Sequence, residues 1–243
     1  MVSKDMRVWG CDVMKNKKVL WITIFSLIAC ALHAAILQTQ FNAYIYSSAF
    51  KVMVFILCPL IYCVVFKTEK FKDLISMFSM NGNKKNIKLA FALGAGVFTF
   101  IVMAFTILLP FLDREMIVNA LAENGITPSN AFFVFLYIVV INAALEQFFF
   151  RGFVFLTLHR MNFKSYAHIY SSVLFAVYHV AILYHAISPG MLALCIAGLV
   201  VAGLIFNILA VRFKSIGGSL IVHISANMAL NLMIGIHFVF GGA

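Results

Sequence analysis

The chain has 243 residues, 64% of them hydrophobic and 11% charged, with a formal net charge of +10. This composition excludes a soluble globular domain and marks an integral membrane protein, in which about 20 apolar residues per crossing leave room for roughly six to eight helices and no large soluble domain. The basic excess reports on topology rather than on nucleic acid, and no nucleic-acid partner is expected.

Apolar windows predict an all-α polytopic bundle of about seven spans, at about 19–38, 49–66, 88–111, 131–157, 166–186, 190–211 and 216–239. The expected organisation is one continuous membrane domain, with N-terminal helices over 1–130 and a core over 131–243. The first span follows Lys15, Lys17 and Lys18 and contains Ala29-Cys30-Ala31, which resembles a signal-peptide cleavage site. Its apolar run continues to Leu37, anchor length, so it reads as a retained helix. After the second span, Phe71, Leu74, Ile75 and Phe78 share one face of the stretch Phe71 to Met80. That spacing predicts an amphipathic connector, and counting it as half-inserted gives eight spans in place of seven. The segment from Asp113 to Asn130 ends in Thr127-Pro128-Ser129-Asn130, a helix-start signature, and predicts a short surface helix leading into the fourth span. In the sixth span Ala193, Ala197, Gly198 and Ala202 form a close-packing stripe of small residues. The five cysteines are an odd count, and Cys30, Cys58, Cys63 and Cys195 lie in apolar runs without zinc or disulfide spacing. They read as small buried hydrophobes.

Lysine and arginine in short loops set orientation. With the N-terminus in the cytoplasm, Lys4, Arg7, Lys15, Lys17, Lys18, Lys67, Lys70, Lys72, Lys84, Lys85, Lys88, Arg160, Lys164, Arg212 and Lys214 all fall inside, fifteen of eighteen. Lys51 and Arg114 fall outside, and seven spans place the C-terminus outside in a multi-pass cell-membrane protein. The remaining cation, Arg151, is inside a span.

An ionisable residue within a span costs several kcal/mol unless it is paired or lines a cavity, so such residues are functional candidates. Glu146 is the only acidic residue in any predicted span, and it shares the fourth with Arg151. On an α-helix Gln147 and Arg151 would lie one turn apart on one face, and Glu146 would share its face with Asn142. The fifth span carries Phe175 and His179. The seventh carries His223, Asn227 and Asn231 at one-turn spacing. His33, His159, His168, His185 and His237 lie near span ends or lack comparable partners and are set aside. Taken singly, each polar residue reads as helix-packing glue. Together, a carboxylate, two imidazoles and an amide on three spans are a sufficient set for activating water against a peptide bond. Two chemistries use that set: a general base with hydrogen-bond donors for the oxyanion, or a catalytic zinc held by one Glu and two His.

The sequence resembles the CAAX protease and bacteriocin-processing family, also called the Abi family, of intramembrane endopeptidases. Its motifs are Glu-Glu-x-x-x-Arg, Phe-x-x-x-His and His-x-x-x-Asn on successive core helices. Here they read Glu146-Gln147-x-x-x-Arg151, Phe175-x-x-x-His179 and His223-x-x-x-Asn227, in the same order. The resemblance implies that Glu146 and His179 activate the water, that His223 and Asn227 support the oxyanion, and that Arg151 organises the site through residue 147. The family is described both as metal-dependent and as glutamate-type, so the resemblance leaves zinc or no metal open.

The second motif Glu is Gln147 here, which removes one negative charge. If the first Glu is the base, catalysis survives; if both carboxylates are needed, the chain is a silent regulator or immunity protein that binds a partner in the membrane. A membrane-associated peptide or protein is the implied substrate. A transporter is disfavoured, because no paired half-repeats or Gly/Pro-broken spans in matching positions appear. The compact length and short loops suggest a bacterial rather than an organellar protein.

Overall fold

The structure, a computed structural model, describes residues 4–38, 44–67, 70–80 and 84–241, all helical or in short turns, with no strand among them. Helix α1 spans Lys4–Leu37, α2 Tyr44–Phe66, α3 Phe71–Ser76 and α4 Lys84–Leu108. Helix α5 spans Arg114–Glu123, followed by the rod α6 over Ala131–Arg160, then α7 Lys164–Leu183, α8 Pro189–Phe213 and α9 Gly217–Ile234. Among the described residues seven helices are long and apolar enough to cross a membrane. They coincide with the seven predicted spans, and the chain is a multi-pass all-α protein.

The helix ends follow local chemistry. Asp113 caps α5 by accepting the Met116 amide at 3.0 Å, satisfying one of the free amides of its first turn. Pro189 opens α8, where a missing N–H costs nothing. Lys214 closes α8 in the left-handed region with φ of 51°. The helix-start signature at 127–130 works through its last residue: Asn130 Oδ1 accepts the Thr127 amide at 2.9 Å and its side-chain amide donates to the Gly125 carbonyl at 2.8 Å, so Asn130 braces the turn before the helix.

Helix α6 is the axis of the fold, with every residue from Gln147 to Leu156 buried. Its winding is unusual. Two stretches, Ile138–Asn142 and Gln147–Leu156, make i→i+5 hydrogen bonds, on either side of a single α-turn at Ala143–Glu146. Such widened turns are rare and concentrate at functional positions.

The amphipathic connector docks beneath α6 instead of lying alone in the interface. Leu74 is fully buried, and the rings of Phe71 and Phe78 meet Phe148 at 5.7 and 6.3 Å. The Met77 carbonyl accepts the Ile216 amide and the Ser215 hydroxyl, each at 2.8 Å, tying the connector to the start of α9.

Two close approaches fix neighbouring helices. At Gly94 on α4 a Cβ would lie 2.6 Å from Ser225 Oγ on α9, and at Gly203 on α8 it would lie 2.9 Å from the Ser172 backbone of α7. The predicted small-residue stripe on α8 is thereby corrected. Ala193, Ala197 and Gly198 are exposed and nothing approaches a Cβ at Gly198, whereas the tight contact is at Gly203. Asn207 decides which face turns inward, because its amide donates to Ser172 Oγ at 3.1 Å and to the His168 carbonyl at 3.2 Å.

The expected place of Lys51 outside the bundle is also overturned. Helix α2 begins at Tyr44, earlier than the apolar window, because Tyr44, Tyr46, Ser47 and Ser48 dilute local hydropathy without interrupting the helix. Lys51 therefore lies within the span and is only 4% exposed. We propose a cytoplasmic N-terminus on the strength of the other loop cations; residues 1–3 and 242–243, at the two ends, lie outside the described residues. Single cysteines introduced before Lys15 and after Phe240, labelled with a membrane-impermeant thiol reagent in intact cells, are expected to react only at the C-terminal position. Reaction at both ends or at neither contradicts an odd number of crossings.

Candidate active site

The α-turn at Ala143–Glu146 aims Glu146 into the bundle, where it is 1% exposed. Its Oε1 receives the Lys51 ammonium at 2.5 Å and the Asn142 amide at 3.0 Å, and Lys51 also donates to Asn142 Oδ1. The ammonium lies over aromatic faces, with Nζ 4.9 Å from the Tyr178 ring centroid and 5.7 Å from that of Phe55. The other carboxylate oxygen, Oε2, faces His223 Nε2 at 3.6 Å, too long for a direct hydrogen bond.

The two imidazoles are held in opposite senses. His179 donates from Nδ1 to the Phe175 carbonyl at 2.7 Å, which leaves Nε2 with its lone pair free to accept a proton or a ligand. Gln147 donates from Nε2 to His223 Nδ1 at 3.1 Å, while its Oε1 accepts the Ser219 hydroxyl at 3.0 Å. With Nδ1 as acceptor, the proton of His223 sits on Nε2, toward Glu146. Both rings flank Phe175, whose centroid lies 4.6 Å from that of His179 and 5.9 Å from that of His223.

The sequence expectation for Arg151 is corrected. The guanidinium does not bond Gln147; none of its nitrogens finds a hydrogen-bond acceptor among the described residues. It is fully buried and stacks over Phe175 at 4.0 Å and Phe206 at 4.9 Å from the ring centroids. The α-helical spacing that paired residues 147 and 151 fails because the intervening turn makes i→i+5 bonds. Arg151 thus bears on the site through Phe175, the residue that holds His179.

Glu146, Gln147, His179 and His223 therefore form one cluster, with Phe175 and Arg151 packed against it. Asn227 lies one turn beyond His223, and its amide donates to the Ile138 carbonyl at 3.1 Å, in the first widened stretch of α6. Asn142, which the sequence places on the face of Glu146, does bond its carboxylate. Two residues escaped sequence reasoning. Lys51 bonds Glu146 directly, and His33, set aside as lying near a span end, is 3% exposed with its ring 5.3 Å from that of Tyr178. A lysine and a histidine in apolar runs were the available signal, but only the packing of α1 and α2 against α6 joins them to the carboxylate.

The cluster as placed does not fit a metal. No group of three His, Cys, Asp or Glu side chains among the described residues is arranged to hold an ion, and one oxygen of Glu146 already holds an ammonium.

Residues 128–229 match the family described as type II CAAX prenyl endopeptidase Rce1-like. No curated protein and no solved structure matches the chain.

Proposed function

We propose, from the match of residues 128–229 to the type II CAAX prenyl endopeptidase Rce1-like family, that the chain is an intramembrane endopeptidase which hydrolyses a peptide bond in a membrane-associated peptide or protein. The observation that carries this reading is the meeting of Glu146 on α6, His179 on α7 and His223 on α9 around Phe175. A water held between Glu146 Oε2 and His179 Nε2 would face two acceptors, the arrangement that aligns a lone pair for attack on a carbonyl carbon. As the C–O bond forms, the water proton passes to Glu146. The oxyanion receives the Nε2–H of His223, with Asn227 as the further donor that the family motif assigns. Return of the proton from Glu146 to the departing amine breaks the C–N bond.

A second reading, a catalytically silent regulator that binds a membrane partner, draws on Gln147 in place of the motif carboxylate and on the ammonium and amide that occupy Glu146 Oε1. The two separate in cells that depend on the protein. His179→Ala and Glu146→Ala, compared at matched abundance, are expected to reduce activity by about 10²–10⁴-fold, because each removes a group that activates water. Full function in both variants at wild-type abundance would give the protein to the regulator reading.

A further inference from the structure

Lys51 belongs to no motif and lies on α2, outside the matched segment. A lysine in an apolar span is expensive to place, yet this one is buried beside a carboxylate 95 residues away and reaches it through a 2.5 Å hydrogen bond. Its surroundings are built for a cation. Asn142 presents its carbonyl oxygen to the ammonium and its amide to Glu146, so the three groups close a ring of hydrogen bonds. Tyr178 and Phe55 offer ring faces to the same charge.

We infer that Lys51 is the resident cation of the Glu146 site: its ammonium holds the position on the carboxylate that a divalent metal would otherwise take, and by binding Oε1 it leaves Oε2 as the working oxygen toward His223. This assignment rests on the reading of Glu146 as the water-activating group. The physical logic is one of substitution. A metal among Glu146, His179 and His223 would supply positive charge next to developing negative charge. An ammonium already bonded to the carboxylate supplies a fixed positive charge there and repels a second cation at the same oxygen. Lys51 is accordingly a positioning residue: it sets which carboxylate oxygen is free.

The test uses the full chain purified in detergent and reads its unfolding midpoint, so it needs no substrate. Wild type is expected to show no shift with zinc chloride or with a chelator. Lys51→Met, which vacates the position, is expected to lose on the order of 10 °C without metal, to regain part of that loss with zinc chloride, and to lose the zinc response when Glu146→Gln is added. Lys51→Arg, which keeps a cation, is expected to ignore zinc as wild type does. A zinc-dependent rise in wild type that disappears in Glu146→Gln would overturn the inference. So would a Lys51→Met chain that unfolds like wild type or gains no zinc response. If Lys51→Met does not fold, the wild-type and Lys51→Arg titrations still decide. The cellular assay of Glu146→Ala is separate, so loss of the protease reading and loss of the lysine assignment are distinguishable.

Discussion

Arg151→Ala is expected to lower the stability of the protein in detergent by about 3–5 kcal/mol, while Arg151→Met costs much less or nothing. Arg151 heads the largest fully buried side chains and fills the space between Phe150, Phe175 and Phe206. Alanine leaves a hole in that aromatic layer. Methionine fills most of it and removes a charge that has no hydrogen-bond acceptor to repay its burial. Equal losses in the two variants, read from the midpoints of unfolding, would mean that the charge itself holds the layer together. The methionine variant has a second use. If the guanidinium only packs, the layer beneath His179 survives and function survives with it.

Gln147→Leu is expected to lower activity by about 10–100-fold while Gln147→Glu retains it, in the same matched-abundance assay. Gln147 touches His223 Nδ1 and the Ser219 hydroxyl, not Arg151. Leucine leaves the ring nitrogen buried without a partner and releases the orientation of His223, a loss that ordinarily costs 1–3 kcal/mol where it occurs in a core. A carboxylate can still pair with that nitrogen once the ring is protonated at both nitrogens, which keeps Nε2–H for the oxyanion, and a charge-assisted bond is roughly twice as strong as a neutral one. Full activity in the leucine variant would detach the 147–223 contact from the function.

The seven spans were legible because hydropathy over about 20 residues is a bulk property that neighbours scarcely alter. The motif residues were legible because polar groups in apolar runs are conspicuous: Glu146, His179 and His223 are visible as exceptions and then prove to be neighbours. What could not be read were partnerships. The pairing of Gln147 with His223 in place of Arg151 depends on the winding of one turn of α6, and no residue type announces i→i+5 bonding. The inward face of α8 was misassigned because a stripe of small residues suits lipid as well as a helix, and the deciding contact came from Asn207 and Gly203. Lys51 was misread because a loop-charge rule treats a lysine beside tyrosines and serines as loop, and its counter-ion comes from a helix distant in sequence.

That separation bears on how the chain is made. Synthesis proceeds from the N-terminus at about 5–20 residues per second, so a gap of 95 residues means that Lys51 precedes Glu146 out of the ribosome by roughly 5–20 s. During that interval the ammonium has no carboxylate, and its insertion rests on the apolar remainder of α2, whose valines, isoleucines, leucines and phenylalanines offset about 2.5–3.5 kcal/mol for a central lysine. Glu146 then arrives at a membrane that already contains its counter-ion. The nascent helix α2 is a receptor waiting for α6, and the burial of the glutamate is guided by a charge laid down first.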